Sequence, residues 1–205
     1  MSMIQPATTL PDHGCGGLGR VTHGALTSSL SDAHDGPGLY LGYNTLPDPP
    51  FPLTAYLSYD LGPQAAALDP ETLLRMGADS IRAQPVPDEP WDEAHQRLAA
   101  TMRVDAVVLT AVAHAMEPGS SQAARALLAN LAEGYYREGD AETCVDARET
   151  AVALGVDRAG TRVVLVADGD AASTRVEAEA KGVLFDLLGE VLDAQYSWTR
   201  AAFAL

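Results

Sequence analysis

The order of strand-like and helix-like segments in the first 43 residues constrains the fold more than any other feature. Residues 3–10 read as a short strand, which Pro6 confines to a sheet edge because proline cannot donate a hydrogen bond to a neighbouring strand. Apolar residues then recur at helical spacing over 18–30, and residues 39–43 alternate as a strand does. A strand–helix–strand start predicts a mixed α/β fold.

Most of the remaining chain favours helices. Ser120 or Ser121 is a suitable N-cap for one of them, and Asp69-Pro70 a suitable start for another. One predicted helix begins at residue 70. The others cover residues 53–61, 92–115, 121–135, 140–154, 171–181 and 197–205. Residues 161–167 are ambiguous, although their β-branched side chains favour a strand. Two short apolar runs flanking Gly189, over 183–187 and 190–194, predict a hairpin.

Composition excludes several classes of partner. The 205 residues carry a net charge of −15, and the 13 basic residues are scattered, so we expect no nucleic-acid or membrane partner. No apolar stretch reaches the length of a membrane span, and no signal peptide is visible. Cys15 and Cys144 are too far apart for a local redox or zinc motif. We therefore expect a cytoplasmic protein with no metal and no cofactor.

A glycine-rich turn at residues 13–20 holds the first candidates for chemistry. Cys15 lies at the predicted start of a helix, where the positive end of the helix dipole lowers the pKa of a thiol. His13 could act there as a general acid or base. The alternative is an inert cysteine and an ordinary surface histidine.

Several motifs together resemble the DsbA-like thioredoxin superfamily, most closely its FrnE-like branch. They lie at residues 18–20, 43–50, 123–128, 135–140, 153–157 and 176–183. The resemblance implies a thioredoxin-like core formed by residues 1–50 and 170–205, with an all-helical subdomain inserted over 51–169. It also implies that residues 163–167 belong to a helix, against their strand propensity.

This sequence departs from the family at the residues that carry its redox chemistry. The family's CxxC motif would fall on residues 13–16, with His13 at the nucleophile position and Gly16 at the resolving position. Leu184 takes the place of the family's cis-proline. Dithiol exchange needs a second thiol to resolve the mixed disulfide, so we do not expect it here.

The resemblance also implies a substrate pocket between core and insertion. Thr101, Arg103 and Asp105 would face it, together with Trp91 and Tyr43. Leu184 would line it from the core side. The alternative reading makes Arg103 and Asp105 ordinary helix surface, and the two aromatic residues part of the core.

Three functions remain open at this point. We expect a non-redox enzyme that isomerises, cyclises or dehydrates a small aromatic or polyketide-like molecule, as the similar 2-hydroxychromene-2-carboxylate isomerases act on aromatic compounds without a CxxC pair. His13 would move the proton in such a reaction. The alternatives are a monothiol oxidoreductase that uses Cys15, and a catalytically inactive binding or scaffold protein, which could be a homodimer.

Overall fold

A computed structural model describes residues 5–6, 16–31, 36–44, 55–87, 92–93, 96, 103–115, 121–132, 140–141, 143–167, 174–176 and 182–203. Within these ranges the chain is a mixed α/β protein. The elements are β1 (Gln5–Pro6), α1 (Gly16–Ser31), β2 (Gly38–Asn44), β3 (Ala55–Ser58), a 3-10 helix (Pro63–Ala67), α2 (Pro70–Arg82), β4 (Arg103–Ala115), α3 (Gln122–Ala132), β5 (Arg148–Asp157), β6 (Arg162–Ala167), β7 (Thr174–Val176) and α4 (Val183–Phe203).

The strands form one sheet in the order β1-β3-β2-β4-β5-β6-β7. Each neighbouring pair is antiparallel. Helix α1 covers one face of the sheet, and α2 and α4 pack together on the other face. The sheet is therefore the middle of three layers. None of the helices in the described ranges is long and apolar enough to cross a membrane.

Strand β4 is at the centre of the sheet, and its residues 106–110 are buried on both faces. Val107 and Leu109 pack in the cluster beneath α2 and α4, whereas Ala106 and Val108 pack beneath α1. A strand covered on both faces is apolar at successive positions, and such a run has no strand alternation. This is why the sequence predicted a helix over 92–115, and for residues 103–115 that prediction is wrong.

Several other predictions can be compared with the described elements. The edge strand, the helix over 18–30 and the strand over 39–43 are confirmed as β1, α1 and β2. The cap of α3 is also confirmed, because the Ser121 hydroxyl accepts a hydrogen bond from the Ala124 amide at 3.1 Å. The hairpin around Gly189 is wrong, because α4 runs through this glycine without a break.

The all-helical character expected for residues 51–169 is also wrong. This range supplies strands β3, β4, β5 and β6, and β2 pairs with both β3 and β4. Residues 162–167 follow their own strand propensity instead of the helix that the family resemblance implied. Residues 174–176 form β7, within a segment predicted as helical. Because β3 separates β1 from β2, the described strands do not reproduce the βαβ unit expected of a thioredoxin-like core.

The close approach of α1 to the sheet depends on a glycine in β5. A Cβ atom placed on Gly155 would overlap the hydroxyl of Thr22 and lie 3.2 Å from a methyl carbon of Leu18. Both α1 residues are almost fully buried, so neither side chain has space into which it can move. The position therefore accepts no side chain without a shift of the helix.

We predict that Gly155→Ala lowers the free energy of unfolding by about 1–3 kcal/mol, because overpacking a buried contact forces the helix from the sheet. Chemical denaturation measures this change. Gly189→Ala is the matched control, because a methyl group at that position would meet nothing within 4 Å beyond the neighbouring residues and backbone of its own helix. That variant should gain about 0.5–1 kcal/mol, since alanine is the better helix former. Equal effects at the two sites would contradict this account of the α1 contact.

Candidate functional site

A β-bulge at the start of β4 determines where the side chain of Asp105 lies. In the pairing of β2 with β4, Gly42 opposes Ala106 but Tyr43 opposes Val104, so Asp105 is an extra residue. Val104 and Val107 consequently pack in the same cluster, although residues three apart in a regular strand face opposite ways. Bulges of this kind redirect a side chain within an otherwise regular sheet.

Polar side chains from three other positions meet the carboxylate of Asp105. Arg103 binds it through two nitrogens, with Nε 2.7 Å from Oδ1 and Nη2 2.8 Å from Oδ2. Arg158 Nε lies 3.3 Å from Oδ1, and Asn44 Nδ2 donates to Oδ2 at 3.4 Å. The carboxylate is nearly buried, with 13% of the Asp105 side chain exposed. Asp105 therefore joins the end of β2, the start of β4 and the residue after β5.

The position of Arg158 follows from the tight turn between β5 and β6. Gly160 has a φ of 80°, a left-handed conformation that favours glycine, and its amide donates to the Asp157 carbonyl at 3.0 Å. The Arg158 amide in turn donates to the Asp105 carbonyl at 3.0 Å. Two backbone constraints thus fix the residue whose side chain pairs with Asp105.

An aromatic ring from α4 completes the arrangement. The guanidinium carbon of Arg158 lies 3.9 Å from the centre of the Tyr196 ring, which is a cation–π contact. Arg200, one helical turn further along α4, places its guanidinium carbon 5.7 Å from the same centre. We call Asn44, Arg103, Asp105, Arg158 and Tyr196 the Asp105 cluster.

Two arginines share one carboxylate in this cluster. The hydrogen bond to Asp105 raises the pKa of Arg103 above its ordinary value, although burial acts in the opposite direction. Arg103 is therefore a permanent cation. Within the described part of the chain, Asp105 is the carboxylate with which Arg158 forms an ion pair, and no second one is found. Arg103, Asp105 and Arg158 together carry a formal charge of +1.

The structure brings together two of the residues predicted from the sequence. Arg103 and Asp105 are in direct contact, whereas the sequence placed them on a helix. Tyr43 is next to Asn44 in β2, but its ring packs in the core beneath α2 and α4. Burial, and to a smaller extent Tyr59, raises the pKa of Tyr43, so its phenol is neutral at neutral pH.

The other predicted site residues are elsewhere or are not described. Leu184 packs against the core at the start of α4, about 18 Å along the helix from Tyr196 at 1.5 Å per residue. His13, Cys15, Trp91 and Thr101 lie outside the described residues. Within the described ranges, no three His, Cys, Asp or Glu side chains are placed so that they could hold a metal ion.

Sequence reasoning missed Asn44, Arg158 and Tyr196. A signal for Arg158 was present, because Asp157 and Gly160 flank it at the spacing of a tight turn between strands. Tyr196 gave no such signal, since its neighbours were divided between a predicted hairpin and a short final helix. The Tyr196 ring reaches Arg158 only because α4 crosses the sheet.

Comparison of the chain with protein-family models, with curated proteins and with solved structures finds no match. The resemblance to the FrnE-like branch therefore stays a prediction from the sequence motifs.

We predict that Asp105→Ala lowers the free energy of unfolding by about 1–3 kcal/mol, because it removes two charge-assisted hydrogen bonds from Arg103 and the ion pair of Arg158, while water can partly solvate both arginines. Urea denaturation measures the loss. Glu71→Ala is the control, because it also removes an arginine's carboxylate partner, but from an exposed pair on α2. That change should leave stability nearly unaltered. A control variant as unstable as Asp105→Ala would show that the cluster is an ordinary surface ion pair.

Proposed function

We propose that this chain binds a small organic anion at the Asp105 cluster, with Arg158 as the residue that pairs with the ligand's carboxylate. One observation carries the proposal. Arg158 shares a carboxylate that Arg103 already binds through both oxygens, and the Arg158 side chain is still 29% exposed. A second carboxylate, brought by a ligand, can therefore reach this guanidinium from water.

The number of donors and acceptors supports this assignment. The guanidinium of Arg158 has about five N–H donors, and its ion pair with Asp105 is made through Nε. Asp105 also accepts hydrogen bonds from Arg103 and Asn44, so its acceptor capacity is divided among three side chains. The planar fork of the Arg158 guanidinium suits a second carboxylate especially well.

Arg158 is also held in place before any ligand arrives. Its amide is bonded to Asp105, its Nε is paired with the carboxylate of the same residue, and its guanidinium rests on the ring of Tyr196. An arginine that is already ordered loses little side-chain entropy on binding. The contacts of Arg158 come from two other elements, β4 and α4, whereas the ion pair of Arg75 lies within α2 and both of its side chains are exposed.

The competing explanation is that the cluster is purely structural and fastens the β5–β6 turn to β4 and α4. Under this explanation the free protein has the same contacts but no affinity for carboxylates. The enzyme expected from the sequence, an isomerase, cyclase or dehydratase of an aromatic or polyketide-like molecule, stays a prediction. It is supported by Arg103 and Asp105, which were expected to contact substrate and which lie together in the cluster.

The proposal can be tested by calorimetric or NMR titration with sodium benzoate at low ionic strength. We expect saturable binding to the native chain and affinity at least about 10-fold weaker in Arg158→Gln, because a charge-assisted pair is lost. Arg158→Lys should restore only part of the affinity, since an ammonium lacks the guanidinium fork.

Arg75→Gln is the matched control in this experiment. It removes a positive charge from an arginine that is also ion-paired, but on the exposed surface of α2. Its affinity for benzoate should equal that of the native chain. If the native chain does not bind benzoate, or if the Gln variants at 75 and 158 bind it equally, the structural explanation is the correct one.

A further inference from the structure

We infer that the ligand of the Asp105 cluster is an aromatic carboxylate, selected over aliphatic acids by Tyr196 and the guanidinium that rests on it. This inference rests on the proposed function, because it names the class of anion that the same site takes. It depends on the ring contacts of α4, and not on the ion pairs that carry the proposed function.

Tyr196 is an aromatic ring that remains accessible beside a cation. It is 40% exposed, although the guanidinium of Arg158 lies over its ring. Tyr196 and Arg200 are four residues apart and lie on the same side of α4. The surface next to Arg158 therefore includes the Tyr196 ring and the Arg200 guanidinium.

These groups favour flat, unsaturated ligands. A guanidinium has two faces that can each stack on a π-system, and Tyr196 occupies one face of Arg158. The ring of a ligand can stack on the other face or against the exposed part of Tyr196, in offset or edge-to-face geometry. An aliphatic ring of similar size fills the same space without the electrostatic attraction between cation and π-system.

Competition between two acids of matched size and charge tests the inference. Benzoate and cyclohexanecarboxylate have the same number of carbon atoms and one carboxylate each. We expect the native chain to bind benzoate about 3- to 10-fold more tightly, the range that stacking and cation–π contacts supply. Tyr196→Phe should keep this ratio because it keeps the ring. Tyr196→Leu should bring the ratio close to one while both acids still bind.

The possible results separate this inference from the proposed function. Equal affinities of the two acids for the native chain, both lost in Arg158→Gln, would leave the anion site intact and overturn the aromatic preference. A preference that survives in Tyr196→Leu would also overturn it, because the ring would then have no part in selection. Failure of the native chain to bind either acid would overturn the proposed function and this inference with it.

Discussion

The pairing of Asp105 with two arginines is the interaction on which the site's geometry depends. The extra residue at the start of β4 changes the alternation of the strand, so Val104 and Val107 share one cluster. Asp105 then holds Arg103 from its own strand and Arg158 from the β5–β6 turn. Removing the carboxylate would leave two cations close together without the acceptor that they share.

The precision of this arrangement comes from the layers around it. Strand β4 is covered by α1 on one face and by α2 and α4 on the other, so its position is fixed from both sides. Helix α4 is long and packs on both α2 and the sheet, which places Tyr196 against Arg158. The ring, the guanidinium and the carboxylate therefore come from separate elements that the core holds in one geometry.

The sequence was informative where local chemistry decides structure. The spacing of apolar residues in α1, the alternation in β2 and the hydroxyl cap of α3 each have a local cause, and each was predictable. Strand β4 was not, because burial on both faces removes the alternation that identifies a strand. Arg103 and Asp105 were therefore proposed as site residues on the wrong element, and Tyr196 was missed because its partner is distant in sequence. Long-range packing, which a single sequence does not show, brings these residues together.

The central proposal is that Arg158 binds a ligand, in addition to connecting the β5–β6 turn with β4 and α4. Its side-chain Nε–Hε resonance, assigned by its absence in Arg158→Lys, reports this directly during titration with benzoate. We expect the resonance to shift saturably while that of Arg75 stays in place. A resonance of Arg158 that does not move, or that moves only as much as that of Arg75, would contradict the account.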